Sequence, residues 1–251
     1  MTEQDESTGP IHLHCGDCAG VVARRAGLPG EVWVWRDSSA VGPCALDPDT
    51  HRRLRAEWWD VAAAEMDLAR DLPAEREMVL WFGPDPWEQA ALIEILTGTP
   101  ATALSVVVLD DAVGVMDPAD LRARLEDRRD AGDLPAVIAG LWRDFCADDR
   151  AALRAWTGRL RGEARLPHLP AALDRVLEDR EDGRTARQVG ALVDQGLRDL
   201  PELMRRLHAL EASKHGVWYG DVIVRRLFDE RLSEEARSPD QRHSQYVNPM
   251  T

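Results

Sequence analysis

The sequence predicts an α/β protein: an N-terminal, mostly parallel sheet flanked by helices, followed by an all-α C-terminal domain. Four short apolar runs alternate with helix-like stretches in the first 110 residues, whereas only helical periodicity remains after Pro118. The chain has 251 residues and is 44% hydrophobic, which is enough to bury a sizeable core without metal or disulfide staples.

The strands and helices of the first half alternate along the chain. Continuous apolar runs predict strands at 11–14, 32–35, 78–82 and 104–109. Apolar residues at helical spacing predict helices at 19–25, 51–72 and 87–96. Between them, the long segment 37–50 is rich in Ser, Gly, Pro and Asp, and such connections are often functional. This alternation is typical of a parallel sheet.

The second half reads as helices joined by short loops. They are predicted at 118–128, 134–147, 149–160, 168–178, 185–199, 201–212 and 217–231. We therefore predict an α/β domain over 10–115 and a helical domain over 116–232. The ends, 1–9 and 233–251, are polar and lack periodicity, so we interpret them as a disordered leader and a disordered tail.

Charge and cysteine content narrow the classes of partner and compartment. The net charge is -14 and the pI is near 4.9, which repels nucleic acid and anionic membranes at long range. No apolar run approaches the ~20 residues that a membrane span needs. No signal peptide precedes the four cysteines. These features predict a soluble cytoplasmic protein that acts on a small molecule, with a protein partner or a homodimer left open.

The sequence carries no recognisable cofactor or metal motif. Neither a Gly-x-Gly-x-x-Gly fingerprint nor a Walker sequence is present, so we expect no cofactor. His12, His14, Cys15 and Cys18 invite a zinc interpretation, but a second pair of ligands is missing, and His12 and His14 share one face of a strand. We expect no metal here and interpret the thiols as packing a strand-to-helix turn.

Polar residues follow three of the predicted strands. Asp17 comes after the first strand, Arg36 and Asp37 end the second, and Asp85 and Glu88 follow the third. Because open α/β sheets bind ligands at the carboxyl ends of their strands, we predict a polar site at this edge.

Chemical roles can be assigned to these residues from their types. Arg36 beside Trp35 can clamp an anionic group of a substrate. Asp37 and Asp85 suit acid–base work, one holding a substrate amine and the other accepting a proton. The remaining substrate-binding candidates lie nearby, and they are Asp17, Glu88, Ser38, His12 and His14.

Simpler structural roles stand beside these functional ones. Asp17 and Asp85 each precede a helix, where an aspartate caps backbone N–H groups without any further role. Arg36 can equally form an internal ion pair with Asp37 or Asp17 that only ties down the loop.

Short motifs in this chain resemble an uncharacterised bacterial family, the domain of unknown function 1835 (DUF1835), which usually continues into a helical partner, DUF3658. The motifs are His12 to Asp17, Trp35-Arg36-Asp37 with Gly42-Pro43, Leu80-Trp81-Phe82 with Asp85 and Gln89, and Gly183-Arg184-Thr185 with Gly220-Asp221. They occur in the family's order. The chain departs from the family at Pro84 and Ala186, where a histidine and an acid are frequent. The resemblance implies the architecture and the site positions, but no particular reaction.

Two classes of function fit the sequence. The preferred one is a metal-independent enzyme of small-molecule biosynthesis that acts on a polar, anionic or amino-acid-derived metabolite. Elimination or intramolecular displacement of a sulfate- or phosphate-like group would suit these residues. The alternative is a ligand-sensing regulator or adaptor that binds DNA or protein through its C-terminal helices. Its phosphate contacts would be Arg184, Arg187, Arg205, Arg206, Arg225 and Arg226.

Overall fold

The computed structural model describes residues 9–100, 103–212 and 221–236. The chain forms two compact units that divide between Leu177 and Glu178. Apart from Gly9 and the segment 233–236, the predicted leader and tail lie outside the described residues. The predicted boundary near residue 115 falls inside the first unit.

The first unit is built on a five-stranded sheet with the order β2-β1-β3-β4-β5. The four strands β1 to β4 are parallel, and they span Ile11–Cys15, Glu31–Trp35, Met78–Phe82 and Leu104–Val108. They lie at the predicted apolar runs, and the predicted fold class is confirmed. β5 (Arg129–Asp130) runs antiparallel to β4 inside a stretch predicted to be helical only. The two residues of β5 are charged and exposed, so they carry no strand pattern that could have predicted it.

Eight helices of the described chain begin in the first unit. Their bounds are α1 Asp17–Ala26, α2 Pro48–Trp59, α3 Pro86–Gly98, α4 Pro118–Ala123, α5 Leu134–Val137, α6 Ala139–Cys146, α7 Arg150–Leu160 and α8 Leu169–Asp182. The prediction of one helix over 51–72 is wrong beyond Trp59. Asp60 adopts a left-handed conformation with φ 56°, and two short 3₁₀ turns, Ala63–Glu65 and Ala69–Asp71, follow.

Both faces of the sheet are covered, which explains its continuous apolar strands. Val79, Trp81 and Val107 share one face and pack against Ala19 and Val22 of α1, together with other small apolar residues. On the opposite face, α3 is buried on nearly all of its sides. The central strands β1 and β3 are therefore fully buried, whereas the edge strand β2 is only half-buried and β5 is exposed.

The strand order creates a switch point between β1 and β3. The chain moves from β1 outward to β2, then crosses back to β3 and continues in the other direction to β4. In doubly wound sheets, a crevice opens at the carboxyl ends of the two strands where the direction reverses. Here those ends are Cys15 and Phe82.

The second unit contains α9 (Arg184–Asp194), α10 (Leu200–Ala212) and α11 (Asp221–Ala236), and α8 ends within it. The three helices share an apolar core formed by Val189, Val193, Leu203, Leu207, Val224 and Phe228. Because α11 continues to Ala236, the predicted start of the tail at residue 233 is wrong. No helix within the described ranges has both the length and the apolar character needed to cross a membrane.

Candidate functional site

A pair of carboxyl groups lies at the carboxyl end of β3. Asp85 caps α3, since its Oδ1 accepts the Glu88 N–H at 2.8 Å. The Glu88 side chain folds back and accepts the Gly83 N–H, while Gln89 donates from Nε2 to the Gly83 carbonyl at 2.7 Å. The first turn of α3 therefore binds both the N–H and the C=O group of Gly83. Glu88 is only 5% exposed, and Asp85 is partly exposed.

The surroundings of this pair change its protonation. Burial raises the pKa of Asp85 to about 6, although hydrogen bonds from Glu88 and the Trp87 backbone oppose the rise. Burial raises the pKa of Glu88 well above its usual range, and the neighbouring charge of Asp85 adds to this effect. Both carboxyl groups therefore keep their protons to a higher pH than an exposed acid does. Neighbouring carboxyl groups with shifted pKa values are typical of acid–base sites.

Cys15, the last residue of β1, lies near both this carboxyl pair and Asp37, which follows β2. Burial raises the pKa of its thiol well above the usual range, and the charges of Glu88, Asp85 and Asp37 raise it further. A buried thiol of this kind is chemically inert. Because all three carboxylates act on Cys15, they share one neighbourhood at the end of β1.

Asp37 is fixed by three hydrogen bonds and is 2% exposed. Arg55 donates to both carboxylate oxygens at 2.8 and 2.6 Å, and the Trp59 indole donates to Oδ1 at 2.8 Å. These contacts occupy the carboxylate and shield it from solvent. The geometry therefore corrects the predicted catalytic role: Asp37 anchors the following loop.

Arg55 is the partner that fastens this loop. It donates to the carbonyls of Val41 at 2.6 Å, Pro43 at 3.1 Å and Ser38 at 2.8 Å. The Ser38 hydroxyl donates to the Trp87 carbonyl at 2.6 Å, and Ser38 is buried. Ser38 therefore ties the loop to α3, which corrects its predicted role in substrate binding.

Sequence reasoning missed Arg55 and Trp59 because both lie within a helical pattern. His51, Arg55 and Trp59 follow one another at intervals of four residues. This spacing places the three residues on one face of α2. It is the feature of the sequence from which a shared role could have been inferred.

Arg36 points away from Asp37. Its guanidinium donates to Asp17 at 3.0 Å, and this pair is exposed to solvent. Successive residues of an extended chain face opposite sides, so the alternative ion pair between Arg36 and Asp37 does not form. The ion pair between Arg36 and Asp17 is the simpler structural role that the sequence also allowed for Arg36. Asp67, which the sequence did not single out, accepts the Arg36 backbone N–H at 2.9 Å.

The two histidines and Trp35 lie inside the sheet layers. His12 donates from Nε2 to the Pro29 carbonyl at 2.9 Å and accepts the Trp81 indole N–H at 3.1 Å. His14 stacks on Trp81, and burial lowers its pKa to about 3, so it is neutral. His12, His14 and Trp35 are each at most 1% exposed. This burial corrects their predicted role in substrate binding.

The histidines and Cys15 also cannot meet at one metal ion, because they lie on opposite faces of β1. Within the described ranges, no group of three or more His, Cys, Asp or Glu residues is arranged to hold a metal.

Arginines of the second unit are paired with acids. Arg184 contacts Glu178 and Glu211, both within this unit. Arg206 donates to Glu202 at 2.8 Å and Arg226 to Glu230 at 3.1 Å, while Arg205 also contacts Glu202. These arginines therefore alternate with negative charge, which does not favour phosphate binding.

No protein-family model matches this chain, and no curated protein is significantly similar to it. The resemblance to DUF1835 and DUF3658 therefore rests on the short motifs alone. Three of these motifs end at or just beyond the carboxyl ends of β1, β2 and β3.

Proposed function

We propose that this chain is an enzyme that moves a proton on a small polar metabolite bound at the carboxyl ends of β1 and β3. The proposal rests on one observation: a pair of neighbouring carboxyl groups, both with raised pKa values, lies at the switch point of a doubly wound sheet. We also propose membership of the DUF1835 family, because three of the four matching motifs end at this edge.

Asp85 is the general base in this proposal. It is the more exposed member of the pair and is largely ionised near neutral pH. The Glu88 side chain forms a hydrogen bond with Asp85 and keeps the base oriented. A base with a pKa close to the working pH combines availability with proton affinity, which favours catalysis.

Arg36 supplies the positive charge. It follows β2, which is separated from β3 by one strand, so the ends of these two strands are about 10 Å apart across the sheet. We propose elimination or intramolecular displacement as the reaction. The base removes a proton from the substrate, and a sulfate- or phosphate-like group leaves with the electron pair of its C–O bond. Arg36 then neutralises the departing anion.

The test separates the base from the helix cap. Asn caps helices as well as Asp does, so Asp85→Asn keeps the start of α3 while removing the base. A thermal-shift screen of phosphorylated, sulfated and amino-acid-derived metabolites first identifies a ligand. With that ligand as substrate, we expect Asp85→Asn to lower kcat by about 10²- to 10⁴-fold.

The matched control is Asp111→Asn, an exposed acid after β4. Its kcat should be unchanged. Unaltered turnover in Asp85→Asn, with Arg36→Ala also fully active, would remove the proposal.

A further inference from the structure

The outer edge of β2 carries backbone groups with no partner in the described chain. The Trp35 carbonyl accepts the Gly16 N–H, so the peptide groups of Trp35 and its alternate neighbours turn toward β1. Those of Val32 and Val34 therefore face outward. Neither residue has an outward hydrogen bond to any residue that the structure describes. Such an edge is a template for another strand.

The open part of this edge has two defined ends. Beyond Val34, the Arg36 N–H is already used by Asp67 at 2.9 Å. Before Val32, the chain turns at Gly30, whose φ is 109°. The N–H and C=O groups of Val32 and Val34, which have no outward partner among the described residues, therefore lie symmetrically about Trp33.

The neighbouring helix presents a stripe of three residues toward the same side. Asp17, Val21 and Arg24 are spaced i, i+4 and i+7 on α1. Asp17 contacts Arg36 at the end of β2, and Arg24 lines a groove beside Val32. Val21 lies between them and is 54% exposed. The stripe is thus acidic at one end, apolar in the middle and basic at the other end.

The middle of α1 is level with the middle of β2. A Cβ atom added to Gly20 would overlap the Val34 side chain, and Arg24 lies beside Val32. Val21 therefore lies near the height of Trp33. The edge and the stripe share one centre.

We propose that two copies of this chain form a twofold dimer in which their β2 strands pair antiparallel about Trp33. Val32 of each copy exchanges both hydrogen bonds with Val34 of the other. The two Trp33 residues then form the intervening pair that is not hydrogen-bonded. This alternation is the pattern of antiparallel strands. The same patch on both copies makes the interface, as twofold symmetry requires.

Charge complementarity favours a second copy over an unrelated strand. The twofold axis sets the two α1 helices side by side in opposite directions. Asp17 of each copy then faces Arg24 of the other, and the two Val21 side chains meet at the axis. The segment Val32-Trp33-Val34 is also symmetric in sequence about that axis. In such a dimer, Arg24 of the partner subunit lies at the rim of the proposed site, beside Asp17 and Arg36.

Sedimentation equilibrium of the full chain tests the dimer. We expect twice the chain mass of 28.0 kDa at micromolar concentration. Val21→Glu places two carboxylates opposite one another at the axis, so the dimer Kd should rise about tenfold or more. Val115→Glu makes the same charge change on a valine that is 80% exposed elsewhere in this unit, and it should leave the Kd unchanged.

A charge exchange tests the orientation. Arg24→Glu alone should weaken the dimer, because two acids then face each other. Adding Asp17→Arg to that variant restores opposite charges and should restore the dimer. A wild-type chain that stays monomeric up to roughly 100 μM overturns the proposal. So does a dimer that Val21→Glu leaves intact, or one that the double variant fails to restore.

Discussion

Asp37 and Asp85 both follow a parallel strand, yet their surroundings give them different chemistry. Asp37 is enclosed and receives hydrogen bonds from a guanidinium and an indole. Asp85 receives only helix-capping hydrogen bonds and a bond from Glu88, and its pKa rises to about 6. At the scale of one residue, the hydrogen-bond partners of an aspartate determine whether it anchors a loop or can act as a base.

Removing the partner of Asp37 should destabilise the fold. Arg55 is fully buried, and Arg55→Met would leave a buried carboxylate without its cation. We expect a loss of about 3 kcal/mol or more in the free energy of unfolding, measured with urea. Arg53→Met changes an exposed arginine of the same helix, so its effect should stay within about 0.5 kcal/mol. Equal effects in the two variants would contradict the anchoring role.

The raised pKa of Asp85 makes stability depend on pH. Its pKa is about 6 in the folded chain against a usual 3.8, so the folded state binds the proton more tightly. The stability that Asp85 contributes is present below about pH 4 and is lost as pH rises through 6. Asn resembles the protonated acid. Asp85→Asn should therefore be more stable than wild type at pH 7, by about 3 kcal/mol, and similar to it at pH 4.

Urea unfolding of both proteins at the two pH values measures this difference. If the difference in the free energy of unfolding between the two proteins does not change with pH, Asp85 has an ordinary pKa in the folded chain. Asp111→Asn again provides the exposed control and should follow wild type at both pH values.

At the scale of elements, α2 shows how a helix can end without a signal in the sequence. Its last turn passes into Asp60, a non-glycine residue with φ 56° and ψ 48°. Glycine adopts this conformation without steric cost. Asp60→Gly should therefore raise the free energy of unfolding by about 0.5–1 kcal/mol. Glu57→Gly, an exposed change inside the same helix, should lower it by about 1 kcal/mol. Destabilisation by Asp60→Gly would mean that its side chain stabilises the turn.

The elements that could be predicted are those whose burial leaves a pattern. β3 was predicted residue for residue because it is buried on both faces and reads as a continuous apolar run. β5 was not predicted, because its two residues are exposed and leave no apolar pattern. The end of α2 was missed because apolar residues continue at helical spacing through the irregular segment after Trp59, and no glycine marks the stop.

The positions of the candidate site were predictable, whereas its contacts were not. Strand ends follow from the apolar runs, so Asp17, Arg36 and Asp85 could be expected at one edge. Which charges pair depends on loops that return from distant parts of the chain. Arg55 reaches Asp37 from α2, and Asp67 reaches Arg36 from the segment after that helix. Sequence spacing alone does not specify such contacts.

At the scale of the whole molecule, the second unit should open independently of the first. Arg184 joins α9 to Glu178 of α8 and to Glu211 of α10, and these side chains are largely buried, apart from Glu178. Arg184→Met leaves Glu211 without that cation. Hydrogen exchange should therefore quicken in α9, α10 and α11, with little change in the sheet.

Arg187→Met, an exposed change on the same helix, is the control and should leave exchange unaltered. Equal quickening of exchange in the sheet and in α9 would show that the two units unfold together.

The two edge strands of the sheet, β2 and β5, differ in a way that limits the addition of further strands. On the far side, β5 covers β4 with Arg129 and Asp130, a charged ending that discourages further strands. Association through β2 then uses the open border of both copies at once. Assembly by this route stops at a closed pair and does not extend into a fibre, which protects an apolar segment such as Val32-Trp33-Val34 from runaway aggregation.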